Sequence, residues 1–270
     1  MKALVRVLLI PLGVVVAENN GRGTKALGMA DTFVAVADNP WGVSYNAAGL
    51  AQCRSFEMSA FIVPRQFGLP ELRTTAASAS YGIKPGGAGI LIEQFGFELY
   101  RTTTVQLGYG FFLGPTFALG ATAGLQRTSI ERYGATTSKT LDLGFMGWPT
   151  PNVTLGFALK NVTASTIGEH RERLPQSALF GVAYTPVEGF LITSEIEKEL
   201  QFPLVVKVGI EQTFLSFLSV RCGVSDNPEK FSAGFAVRWS GVEFGYAGYS
   251  HPELGWTHQV ELSFRPGGPG

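Results

Sequence analysis

A chain of 270 residues with 21 basic and 21 acidic side chains has a formal net charge of zero, and only 16% of its residues are charged. That balance excludes bulk attraction to nucleic acid as the basis of function. Two cysteines in the whole chain, Cys53 and Cys222, exclude a disulfide framework.

The first residues have the grammar of an export signal. Lys2 and Arg6 precede a short apolar core from Val7 to Val16, and Val15 and Ala17 occupy the −3 and −1 positions of a cleavage site. Pro11 interrupts this core, and it falls short of the roughly 20 apolar residues a spanning helix needs. The expectation is a signal peptide over 1–17 and a mature chain from Glu18.

Residues 18–52 come next. The run from Lys25 to Asp38 is too rich in small apolar side chains for a solvated linker, and it is expected to pack as a plug inside whatever follows. Asn39 and Pro40 predict the start of a short helix, with Gly49 at its exit. Phe33, Asp38, Trp41, Tyr45 and Asn46 are the candidate plug residues.

From residue 53 to residue 264 apolar side chains recur at every second position, the period of strands. Val105, Leu107, Tyr109 and Phe111 alternate with Thr104, Gln106, Gly108 and Gly110, and Phe231, Ala233, Phe235, Val237 and Trp239 alternate with Ser232, Gly234, Ala236 and Arg238. About fourteen such segments begin near 53, 72, 87, 102, 116, 138, 152, 176, 189, 203, 216, 229, 241 and 255, each long enough to cross a bilayer as a tilted strand. Twelve or sixteen strands are the alternatives. Connections after even-numbered segments are tight, as at Lys84–Gly87 and Ser240–Gly241. Those after odd-numbered segments are generally longer, as at Val162–Pro175, and more polar. A transmembrane barrel alternates in this way; a secreted sandwich has no reason to. The predicted class is therefore all-β, an antiparallel up-and-down barrel with a plug over 18–52 and a disordered Gly/Pro tail over 265–270.

The two faces differ in chemistry. One carries Leu, Val, Phe and Tyr for lipid. The other carries Gly, Ser, Thr and charge: Asp142, Lys160, Glu195, Glu197, Lys207, Glu211, Arg221, Arg238, Glu243 and Glu261. Signs alternate between neighbouring strands, so these charges are expected to pair across a lumen closed by side chains. In the third segment the apolar set shifts from Ala88, Ile90 and Ile92 to Phe95, Phe97 and Leu99. A one-residue parity shift predicts a β-bulge at Glu93, Gln94, Phe95 and Gly96, either an ordinary bulge or the edge of a gap in the wall. Trp148, Trp239, Tyr246 and Trp256 are expected in interfacial aromatic belts. Cys222, on the apolar face, is expected to meet lipid.

No catalytic constellation and no cofactor site is expected. His170, His251 and His258 lack metal-ligand spacing to one another or to cysteine.

Four stretches together resemble a family. "ALGMADTFVAVADNPWGVSYNAAGLA" is similar to the N-terminal signature of the FadL/PorV superfamily of outer-membrane proteins, with Ala47 where proline is usual. "LPQSALFGVAYTP", "VKVGIEQ" and "LGWTHQVELSF" (174–186, 206–212 and 254–264) are most similar to its PorV/PorQ branch. The resemblance implies a fourteen-stranded barrel in the bacterial outer membrane, with an N-terminal segment inside and a distorted third strand, where it places a lateral opening for a ligand or partner at Glu93, Gln94, Phe95 and Gly96. It implies one of two roles beside that of a purely structural barrel. PorV-type members are non-enzymatic binding components that hold a secreted protein or secretion machinery, as in type IX secretion. FadL-type members pass fatty acids or other small hydrophobic compounds through a lateral opening. The lack of long outer loops favours the PorV-type role. The expected partners are outer-membrane lipid and either a secretion partner or a hydrophobic small molecule.

Overall fold

The computed structural model describes residues 21–167 and 172–266. The signal peptide expected over 1–17, His170 and residues 267–270 of the expected tail lie outside the described residues.

Fourteen strands close into one antiparallel barrel, each bonded to its neighbours in sequence and the last to the first. They are β1 Glu57–Val63, β2 Thr74–Ile83, β3 Gly86–Gly96, β4 Tyr100–Gly114, β5 Phe117–Ile130, β6 Gly134–Thr150 and β7 Val153–Lys160. The second half comprises β8 Ser177–Val187, β9 Phe190–Glu199, β10 Leu204–Phe214, β11 Leu218–Ser225, β12 Lys230–Trp239, β13 Val242–His251 and β14 Gly255–Phe264. The predicted class and strand number are borne out. No helix among the described residues is long and apolar enough to cross a membrane.

Closure leaves no open sheet edge, and that is what lets strands survive in hydrocarbon. Period-two alternation then sorts the side chains. Leu107, Leu119, Leu143, Phe180, Val206, Val220, Phe235 and Leu262 all face out and are exposed. On a soluble protein such a surface would be an aggregation patch; around a closed barrel it is the lipid-facing belt. Replacing Leu107 by arginine puts a charge in that belt. We expect a loss of about 2–4 kcal/mol in folding into lipid vesicles, read by urea titration.

Both ends of the wall lie on the side of the short turns, such as 84–85 and 240–241. That side is the inner one, and the longer connections 64–73 and 161–176 mark the outer one. The latter holds a two-residue ribbon pairing Thr166–Ile167 with Glu172–Arg173.

Several expectations need correction. The first strand begins at Glu57, not 53, because a 3-10 helix over Ala47–Gln52 occupies the approach. β6 begins at Gly134, not 138, because its ladder with β5 continues to Ile130↔Gly134. The connection after β5 therefore shrinks to 131–133. Trp148 faces in and packs against Phe112 at 5.6 Å, so it leaves the aromatic belt.

The third strand carries no bulge. β3 pairs with β2 from Thr74↔Phe95 to Ile83↔Gly86, and with β4 from Gly86↔Phe111 to Gly96↔Arg101, both without a register shift. An unbroken ladder on both sides rules out a gap at Glu93, Gln94, Phe95 and Gly96. The parity change has another cause. Phe95 is an inward aromatic whose ring meets Tyr100 edge-on at 6.4 Å, and the strand ends at Gly96. Phe97 and Leu99 then belong to the turn 97–99 and not to a face of the sheet.

Candidate functional site

Residues 21–52 occupy the lumen. α1 (Thr24–Gly28) lies against β11 to β14, and the 3-10 helix lies against β2 to β6. Between them the chain turns through a second short helix, α2 (Gly42–Tyr45). Met29, Phe33, Val34, Val43 and Ala48 are wholly shielded from solvent. Asn39 Oδ1 accepts from Trp41 N at 3.0 Å just before α2, but Gly49 is not a helix exit. It sits within the 3-10 helix, packed on the backbone of Ala37.

Barrel residues make room for this segment by having no side chain. A Cβ added at Gly120 would fall on the peptide between Ala47 and Ala48. One at Gly144 would meet Asn46, one at Gly156 the backbone of Val34, and one at Gly223 the peptide joining Met29 and Ala30. The inward face of the strands is a glycine-lined channel fitted to a main chain.

Hydrogen bonds from the wall satisfy that main chain. Glu195, 1% exposed, accepts from the backbone N–H groups of Phe33 and Val34 at 3.0 Å each. Glu261 accepts from Thr24 N at 2.5 Å, Thr24 Oγ1 at 2.7 Å and Trp41 Nε1 at 2.6 Å. Lys160 Nζ donates to Ser44 O at 2.5 Å and reaches Asp142 at 3.2 Å. Asn46 donates to Val34 O and Phe145 O at 2.8 and 2.9 Å, tying two parts of the plug to β6. These main-chain groups of the plug find in the wall the partners that water would otherwise supply, although the Ser44 hydroxyl and the Gln52 amide N–H remain without one.

The lumen charges form chains. Lys207 pairs with Glu197 at 2.6 Å and Glu195 at 3.2 Å. A longer chain runs from Asp38 through Lys25 to Glu211, Arg221, Glu243 and Arg238, at 2.6, 3.3, 2.5, 3.7 and 2.6 Å. Parity assigned these barrel charges to the inward face. It gave no sign that Glu195 and Glu261 spend their oxygens on the plug.

Of the plug candidates, Phe33 stacks edge-on to Tyr45 at 5.1 Å, and the Tyr45 hydroxyl accepts from Arg22 N at 2.7 Å and donates to Asp31 at 3.1 Å. Trp41 packs 5.0 Å from Phe61. Glu93, assigned from sequence to an opening, instead holds the Arg22 guanidinium at 2.8 and 3.0 Å, while Gln94 faces outward. Sequence reading missed Arg22, Lys25, Asp31 and Lys230, whose Nζ lies 3.2 Å from Asp31 and 4.1 Å from the Tyr249 ring. It also missed the purpose of the glycines. Their recurrence at inward positions of strand after strand was the available signal.

A cavity of about 40 Å³ in the lumen is lined by Asp31, Tyr45, Lys160, Glu195, Glu197 and Lys207. It has room for about one water. The outer mouth is narrowed by the connection 64–73, where Phe67 N donates to Thr257 Oγ1 at 3.0 Å and the Phe67 ring meets Tyr249 at 6.0 Å. The site is a plugged lumen, and among the described residues no group of His, Cys, Asp and Glu side chains is placed to hold a metal ion.

Among solved structures, the chain is similar to the toluene transporter TbuX of Ralstonia pickettii, with a TM-score of 0.69 and 11% identity over 92% of this chain and 98% of that one. It is similar to the CymD monoaromatic hydrocarbon channel (0.65 and 13%, over 90% and 96%) and to a FadL homologue of Pseudomonas aeruginosa (0.66 and 12%, over 90% and 98%). The fold is the FadL-type barrel. At such identities the likeness establishes architecture alone. No protein-family model and no curated protein sequence matches the chain.

Proposed function

We propose that this FadL-type barrel is a bacterial outer-membrane conduit for small hydrophobic compounds, drawn here in its plug-closed state. The observation that carries the reading is the likeness, over nine-tenths of the chain, to barrels named as channels or transporters of toluene and monoaromatic hydrocarbons. The plug supports it as well. It is held by hydrogen bonds and ion pairs and by no disulfide, so it can yield without breaking covalent bonds. Because the wall beside β3 is continuous, passage goes through displacement of this segment and not through a standing side gap.

The PorV-like binding role favoured by the sequence draws nothing from these comparisons. The filled lumen and the short outer turns at 97–99, 131–133 and 252–254 are what speak for it.

The test is uptake of radiolabelled toluene by intact cells whose outer membrane carries the barrel, against cells without it. Faster uptake at equal cell number is expected. Equal uptake, together with a protein recovered in fixed ratio with the barrel, would replace the conduit with the binding role.

A further inference from the structure

The outward face of the barrel changes character in one sector of its outer rim. On β4 the outward residues Val105, Leu107 and Tyr109 belong to the lipid belt, but the next two toward the outside are Thr103 and Arg101. β5 repeats the change: Leu125 is followed by Arg127 and Ser129. On β6 Leu141 gives way to Lys139 and Thr137. The ladder sets these side by side, with Thr103 opposite Arg127, Arg101 opposite Ser129, Arg127 opposite Thr137 and Leu125 opposite Lys139. Elsewhere on the same rim Val224, Phe231 and Trp256 keep the outward face apolar, and the polar exceptions Gln94, Lys198 and Ser250 stand singly on their strands and bring no pair of arginines together. β4, β5 and β6 are also long strands, of 15, 14 and 17 residues, and their extra length lifts these side chains beyond the belt.

Arg101 and Arg127 stand diagonally across one strand pair, roughly 7–8 Å apart at the backbone. Neither makes an ion pair among the described residues, although Glu98 lines the same cleft of about 350 Å³ together with Thr103 and Ser129. Two like charges set so close repel unless an anion sits between them. A guanidinium fork with adjacent hydroxyls matches the oxygens of a phosphate. The belt immediately below selects a phosphate that arrives with acyl chains.

We propose that the outward faces of β4, β5 and β6 form a binding site for a phosphorylated glycolipid of the outer leaflet. Arg101 and Arg127 clamp one phosphate, with Thr103 and Ser129 donating to it. Lys139 steadies the next headgroup, and the acyl chains lie on Val105, Leu107 and Leu125. The site is on the lipid face and is independent of what crosses the lumen.

The test is native mass spectrometry of the purified barrel offered three lipids at equal concentration: a phosphorylated outer-membrane glycolipid, its dephosphorylated form, and phosphatidylglycerol. The wild-type barrel is expected to retain the first. The Arg101→Gln/Arg127→Gln double variant should retain about tenfold less, and Lys84→Gln, at the opposite rim, should retain as much as the wild type. A heat-modifiable gel band checks that each variant is folded. Undiminished retention by the folded double variant, or equal retention of the dephosphorylated lipid, overturns the proposal. So does equal retention of phosphatidylglycerol, which would reduce the patch to bulk charge.

Discussion

Glu261→Ala should unseat the N-terminal segment and turn a closed barrel into a conducting one. One carboxylate accepts from Thr24 N, Thr24 Oγ1 and Trp41 Nε1, all inside the wall. Removing it orphans these donors together, at about 1–3 kcal/mol for each buried group left unsatisfied. Water entering the vacated space recovers part of that, and it enters most readily once the segment has moved aside. Planar-bilayer recordings should therefore show discrete openings absent from the wild type, while the gel mobility of the folded barrel is retained. Glu261→Gln is the control. It keeps one carbonyl oxygen but turns an amide N–H toward a donor, so its openings should be rarer. A silent Glu261→Ala barrel would mean that the remaining contacts hold the plug unaided.

Gly120→Leu should have an effect of similar size by a steric route. A side chain there falls on the peptide between Ala47 and Ala48, and Gly110 and Gly144 press on the same stretch from neighbouring strands. Overfilling a packed interior costs about 1–3 kcal/mol when side chains can adjust. Here the obstacle is backbone, which adjusts least, so the 3-10 helix must leave its seat. Protease added from the inner side should cut the variant within residues 47–52 and spare the wild type. Gly68→Leu, in an open loop with nothing within 4 Å, should behave as the wild type does apart from the strain of its positive φ. Equal resistance of both barrels would show that the lumen accommodates a leucine.

The barrel was legible because a strand's two faces are written at every second residue, and few other folds demand so long a run of one period. The tight turns at 84–85, 115–116 and 151–152 fixed the pairing order, since two-residue connections allow only a hairpin. Errors came where one side chain served a tertiary purpose that the period cannot express. Phe95 is apolar and faces inward, so in a one-dimensional reading it mimics a slip of register. Trp148 does the same on β6. The interior was harder to read. Parity assigns Glu195 and Glu261 to the inside but says nothing about which backbone amides will come to them. Glycine gave the weakest signal, because the absence of a side chain looks alike whether it faces empty space or a neighbouring main chain.

The grip of Glu261 on Thr24 and Trp41 also has a temporal side. The acceptor belongs to β14, the final strand, and the groups it binds lie near the start of the described chain. Until β14 has zipped to β1, from Met58↔Phe264 to Ile62↔Val260, Thr24 and Trp41 lack this carboxylate, and the leading end is held only by other strands, as through Arg22 to Glu93. A half-built barrel therefore lacks one of the wall's holds on its plug, and the last strand to close supplies it. The carboxylate that receives the start of the plug thus arrives with the last strand, and the grip on Thr24 and Trp41 registers that the wall is complete.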